Sequence, residues 1–304
     1  MNTQLLEENT KILRQTAGKW IDKRLVLLTA AQFAARGQQI DEETFTALST
    51  KIKKSGSIFS PLRTIHFPMT GLLLLQKGNG EEGVDELHLK YDLLRSAGFR
   101  SSQYTYIAAF LIEPSTQPER VKAIYDELKK YHMFLTSNED YPAAAVMASR
   151  PESVIELADA SENYYHFFNK NGFWKGNDLQ FLANMLVMNG LFEERTAHAV
   201  LEVKQELEQN GIKVRSMHYP ALGIMALSGN KEMCVQFVHE LRSSPSLKWY
   251  KDIAVTLAAI FVSQTVIEAS AGLTAAVQAM IQAQQAVIAA STASAVAASS
   301  SSGE

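Results

Sequence analysis

Two kinds of stretch alternate along this chain: polar ones with an apolar residue every three or four positions, and shorter ones that are apolar almost throughout. The first pattern predicts an amphipathic helix with one buried face. The second, rich in Ala, Leu and Met, predicts a helix buried on most sides. A short turn, often Gly followed by an aromatic residue, and a polar loop separate the two. The unit recurs as YDLLRSAGFRSSQYTYIAAFLI from Tyr91, YDELKKYHMFLTSNEDYPAAAVMA from Tyr125 and YHFFNKNGFWKGNDLQFLANMLVM from Tyr165. It returns as KQELEQNGIKVRSMHYPALGIMAL from Lys204 and VHELRSSPSLKWYKDIAVTLAAIF from Val238, and an earlier member starts at Lys51. Its turn positions, Ser57, Gly98, Met133, Gly172, Gly211 and Ser246, are separated by 41, 35, 39, 39 and 35 residues. Such a period without strand patterning predicts an all-α fold, an α-solenoid of about six helix-loop-helix repeats forming a right-handed superhelix.

Turn chemistry agrees. Gly98, Gly172 and Gly211 stand where each first helix must stop, with Phe99, Phe173 and Ile212 following to pack back on the last turn. Small residues in the second helices, among them Ala108, Ala143, Ala183, Gly223 and Ala258, allow neighbouring helices to approach closely. The expected organisation is N-terminal capping helices over 1–40, the repeat array over 41–268, a C-terminal capping helix over 269–292, and a disordered Ala/Ser tail over 293–304.

Composition narrows the function classes. A net charge of −3 over 304 residues gives no global attraction for nucleic acid. The single cysteine, Cys234, excludes a disulfide framework and a cysteine-rich metal site. The first residues, MNTQLLEENTKIL, have no basic and apolar leader pattern, and the run from Ile253 to Val262 is half of the roughly 20 residues a membrane span needs. A cytoplasmic protein without membrane segments is expected.

Few residues invite chemistry. Aligning the second helices on their openings places His66-Phe67-Pro68, Asp140-Tyr141-Pro142 and His218-Tyr219-Pro220 together, with Thr105, Asp178 and Asp252 as looser equivalents. His66, Asp140, Asp178, His218 and Asp252 would suit a divalent ion if the array curved enough to bring them together. Neighbouring helices about 8–10 Å apart make that hard, and Asp and Pro are ordinary helix-opening residues. Lys54, Arg63, Arg100, Lys175, Lys213, Arg215, Lys248 and Lys251 fall at or near the turns, where stacking would align them as a track for a carboxylate, phosphate or acidic peptide. Helix dipoles favour some of these cations without any ligand. Tyr104, Tyr106, Trp174, Tyr219, Trp249 and Tyr250 lie at loop edges and suit a binding surface, whereas Tyr91, Tyr125 and Tyr165 read as core. Gly78-Asn79-Gly80-Glu81-Glu82-Gly83 spells a dinucleotide fingerprint, but no strand precedes it and it reads as a linker. The chain has no P-loop, G-x-S-x-G, H-E-x-x-H or kinase-type set.

NGFWKGNDLQFLANML, SMHYPALGIMAL, LKWYKDIAV and IQAQQAVIAA resemble a family of bacterial, Bacillus-type proteins known as domain of unknown function 4003. The resemblance implies a cytoplasmic bacterial protein and no particular activity or cofactor. The expected function is therefore a non-catalytic scaffold for a protein or peptide, with no cofactor and no nucleic-acid partner. Its binding surface comprises Arg100, Asp140, Trp174, Lys175, Asp178, Arg215, His218, Tyr219, Trp249 and Asp252. The alternative is a metal-dependent enzyme built on the His/Asp cluster.

Overall fold

In the computed structural model, which describes residues 1–18, 21–76 and 80–264, the described chain is helical, with no strand among the described residues. The fourteen α-helices of the described residues alternate in character. The odd-numbered ones are α1 (Thr3–Thr16), α3 (Glu42–Lys54), α5 (Gly80–Ser96), α7 (Pro118–Tyr131), α9 (Val154–Lys170), α11 (Glu194–Gln209) and α13 (Lys231–Ser243). They are amphipathic: α11, for example, buries Ala197, Val200, Val203 and Leu207 and exposes most of the rest. The even-numbered ones are α2 (Lys23–Ala35), α4 (His66–Leu75), α6 (Gln103–Leu111), α8 (Tyr141–Met147), α10 (Asn177–Asn189), α12 (Tyr219–Ser228) and α14 (Ala254–Gln264). These are buried nearly all round, α14 from Ala254 through Ser263. They form the inner layer, covered by the odd helices.

The hairpins stack in sequence order. Among inner helices α2 packs on α4, α6 on α8, α8 on α10, α10 on α12 and α12 on α14. The step from α4 to α6 runs through α5 and the 3₁₀ turn Pro61–Arg63. Close approach is built in: a Cβ on Gly71 would lie 2.7 Å from Thr29 Cγ2 of α2, and one on Gly223 2.2 Å from Met185 Cε of α10. The periodicity alone leaves curvature open, and the structure supplies it. α14 packs against α2, so the last described hairpin touches the first. The Glu7 carboxylate of α1 accepts hydrogen bonds from the hydroxyls of Ser244 and Ser246, just beyond α13, and from the Ser246 N–H at 3.3 Å. The pair α1–α2 thus works as a seventh hairpin that meets both α3–α4 and α13–α14.

The glycine stops form as the sequence predicts. Gly98, Gly172 and Gly211 have φ of 94°, 85° and 74°. In each case the next residue's N–H reaches back to the carbonyl five residues earlier, Phe99 to Leu94, Phe173 to Phe168 and Ile212 to Leu207. Phe99, Phe173 and Ile212 are buried. One element differs from expectation: α5 starts at Gly80, so the second half of the glycine-rich segment opens a helix instead of linking two repeats. The expected C-terminal capping helix and Ala/Ser tail lie outside the described residues.

Candidate functional site

Since each hairpin rises through an odd helix and descends through an even one, all the odd-to-even loops lie on one edge. At four of the inner helices, α4, α6, α8 and α12, a polar side chain at the opening is spent on local hydrogen bonding. Asp140 Oδ2 accepts from the Ser137 N–H at 2.9 Å, and in the equivalent place His218 Nδ1 accepts from the Arg215 N–H at 3.1 Å. Thr105 Oγ1 donates to the Arg100 carbonyl at 2.5 Å, and His66 Nδ1 lies 2.7 Å from the Arg63 carbonyl, to which it donates. A carboxyl, two imidazoles and a hydroxyl thus do one task, satisfying backbone groups where a loop becomes a helix.

The following residue locks neighbouring hairpins together. Tyr141 packs edge-on against Phe99 with ring centroids 4.6 Å apart, and its hydroxyl accepts from the Arg100 N–H at 3.4 Å. One repeat pair further on, Tyr219 sits 4.5 Å from Phe173 and accepts from the Trp174 N–H at 3.1 Å. Each tyrosine belongs to one hairpin and holds the loop of the preceding one, leaving the Arg100 and Trp174 side chains exposed.

These contacts correct part of the expected surface. Asp140, His218 and Tyr219 are buried, as are Tyr104 and Tyr106, and none of them presents a face to a partner. Tyrosine and histidine at a helix start can point inward whenever the neighbouring loop offers a hydrogen bond, and here it does. Arg100, Trp174, Lys175, Arg215 and Trp249 are exposed, and Asp178 and Asp252 are half-buried. The five proposed metal ligands form no metal site: among the described residues no three His, Cys, Asp or Glu side chains are grouped so that they could hold a metal ion. Asp252 meets His218 through its backbone carbonyl, 2.9 Å from Nε2.

Burial shifts the two inward groups in opposite directions from their ordinary values. It raises Asp140 to about 7, with no cation among the causes to oppose it, while Asn184 Nδ2 donates to its second oxygen at 3.3 Å. Burial lowers His218. Because the Arg215 N–H can only donate, Nδ1 must be the acceptor, so the proton rides on Nε2 and points at the Asp252 carbonyl. Burial likewise pushes the Cys234 thiol up to about 12, which leaves it an inert packing group.

Two features of the edge escape a reading of the sequence. Ile58, Phe59, Met133 and Phe134 are exposed in the α3–α4 and α7–α8 loops, as Trp174 and Trp249 are in the α9–α10 and α13–α14 loops, with Phe134 99% and Trp249 80% exposed. The hint in the sequence is that apolar residues in loops without a glycine stop have no helix end to pack on. The second feature is a concavity of about 160 Å³ between the α11–α12 loop, the end of α13 and the start of α14. Lys213, Arg215, Arg242 and Lys251 line it, with His218 and Asp252, over Ile212, Val238 and Val255. Arg242 joins this group only because the end of α13 is brought beside the α11–α12 loop.

The fold and its loop edge define an all-α protein of serially stacked helical hairpins. Residues 11–289 match the family described as "Protein of unknown function (DUF4003)", and the chain belongs to that family. It is 25% identical over 295 residues to the protein described as "Uncharacterized protein YeaA" of Bacillus subtilis (strain 168), covering 91% of this chain and 89% of that relative. No solved structure matches. No described helix is long and apolar enough to cross a membrane.

Proposed function

We propose that this chain is a non-catalytic binding module, a solenoid-type array curved until its first and last described hairpins meet, whose loop edge receives an acidic, partly apolar protein segment in the cytoplasm. The observation that carries the reading is the composition of that edge. Ile58, Phe59, Met133, Phe134, Trp174 and Trp249 stand exposed on it, interleaved with Arg63, Arg100, Lys175, Lys213, Arg215, Lys248 and Lys251. Exposed apolar side chains scattered singly need no explanation, but six large ones in the loops of four hairpins offer apolar area that would lose contact with water on binding. Aromatic anchors ringed by cations are the usual energetic centre of such a surface. The single buried thiol is compatible with a reducing compartment.

The test is selection of a random peptide library on the full-length chain, followed by titration of the recovered peptides against wild type and a Phe134→Ala/Trp174→Ala/Trp249→Ala variant. Acidic and apolar sequences should be enriched, and the variant should bind them at least about tenfold more weakly, since a buried aromatic anchor is worth 2 kcal/mol or more. Recovery of no such peptides, or equal affinity for the variant, would overturn the reading. Saturable binding to phosphatidylserine vesicles through the same three residues, without peptide binding, would replace the segment with a lipid surface.

A further inference from the structure

We infer that the concavity between the α11–α12 loop, α13 and α14 is a binding site for a phosphoryl group. This deepens the reading above and rests on it only for the source of the group. Four cationic side chains from three separate elements converge there: Lys213 and Arg215 from the loop, Arg242 from the last turn of α13, and Lys251 from the turn opening α14. Elsewhere in the molecule Arg24, Lys122, Lys130, Arg150, Lys204 and Lys231 each hold a carboxylate within 4 Å. Among the described residues none of the four pocket cations forms such a pair.

The pocket's own acid offsets only one of the four positive charges. Asp252 is the single carboxylate in the lining, and its charge is also felt by Arg24 of α2, whose own pair with Asp22 lies beside it. His218 contributes no positive charge, because both ring nitrogens are committed and burial holds it neutral. The helix dipole accounts for Arg242 at the end of α13, but it works against Arg215 and Lys251, which stand at the openings of α12 and α14. Cations placed against the local dipole, in a concavity with an apolar floor of Ile212, Val238 and Val255, maintain a positive potential that an anion would relieve.

Size and charge choose among anions. About 160 Å³ is small beside the roughly 300–1,000 Å³ of sites for drug-sized ligands, so the pocket suits one compact group. A carboxylate brings one charge and two oxygens. A phosphoryl group brings up to two charges and three free oxygens, enough to engage two guanidinium forks and two ammonium heads together.

Isothermal titration of the full-length chain with inorganic phosphate, in a low-salt amine buffer, tests the inference. One saturable site is expected, weakened about tenfold or more in Arg242→Gln and in Lys213→Gln, unchanged in Lys122→Gln, and weakened by added salt. Lys213 is exposed, so its variant keeps the test valid if Arg242→Gln does not fold. Absence of a saturable site, or equal affinity in folded Lys213→Gln, overturns the assignment. A library-selected peptide bearing phosphoserine separates the sources: tighter binding than inorganic phosphate places the group on a partner segment, and equal binding makes free phosphate the ligand. The Phe134/Trp174/Trp249 variant should keep its phosphate affinity, so loss of peptide binding with phosphate retained sinks only the edge reading, and the converse sinks only this one.

Discussion

Asp140 and His218 occupy the same place in different hairpins, cap the same kind of turn and respond to acid with opposite signs. Burial raises Asp140 to about 7, above the 3.8 of a free side chain, so the native state holds a proton that the unfolded chain has lost between those values. Its contribution to stability therefore falls as pH rises from about 4 to about 7 and is level above that. His218 is lowered by burial, so the unfolded chain takes up a proton first, and the stability of its neutral cap is lost as pH falls below the ordinary histidine value of 6.5. Asp140→Asn keeps an acceptor for the Ser137 N–H but cannot ionise. Thermal melts of wild type and variant should show a gap that moves in the variant's favour from pH 5 to pH 8. A gap constant across that range would mean that the carboxyl stays ionised throughout.

At the scale of the element, the glycine stop is the feature most open to substitution. Gly172 has a φ of +85° with no neighbour within 4 Å of an added Cβ, so Gly172→Ala meets backbone strain and no clash. The expected cost is about 1–2 kcal/mol in urea unfolding. Gly190 is the control: it is extended at φ 179° with equally open surroundings, so Gly190→Ala should be neutral or slightly stabilising. Equal effects at the two sites would show that the left-handed backbone is not what Gly172 supplies. These stops were readable because the chemistry of a helix end is local, spanning six residues from Phe168 to Phe173. The loop side chains were less readable. Phe173 turns in and Trp174 turns out, and Tyr219 is buried because its hydroxyl meets a backbone N–H 45 positions away. No local pattern encodes such a partner, so the inner and outer members of the loop surface were mixed together in the sequence. The apolar loops at Ile58-Phe59 and Met133-Phe134 lack the Gly-aromatic signal that marks the turns at Gly98-Phe99 and Gly172-Phe173.

At the scale of the whole molecule, the contact between the first and the last described hairpins depends on summed small rotations between neighbours, which a single sequence does not display. Glu7 is the residue that makes this closure testable. Although burial works to raise its carboxyl, the hydrogen bonds from Ser244 and Ser246 prevail and hold it below the usual glutamate value of 4.5. The stability it lends is present above that value and is lost as pH falls through the lowered one. Glu7→Gln should accelerate amide exchange in α1 and α13 together while leaving α7 to α10 unchanged, as exchange reports local opening free energies. Acceleration confined to α1 would show that the chain end frays independently of α13.

The contact of α14 with α2 also changes what lengthening or shortening the protein would do. An open stack tolerates gain or loss of a unit, because each unit contacts only its neighbours and the terminal ones absorb the difference. Here α2 lies between α4 and α14, so removing one of the described hairpins would leave the other six described ones with a gap or force every junction to bend further. Close packing at junctions such as Gly71 on Thr29 and Gly223 on Met185 leaves little room for that bend. Descendants of this fold are thus expected to vary in their loops while keeping the number of hairpins fixed, as a wheel can change its tread but not its count of spokes.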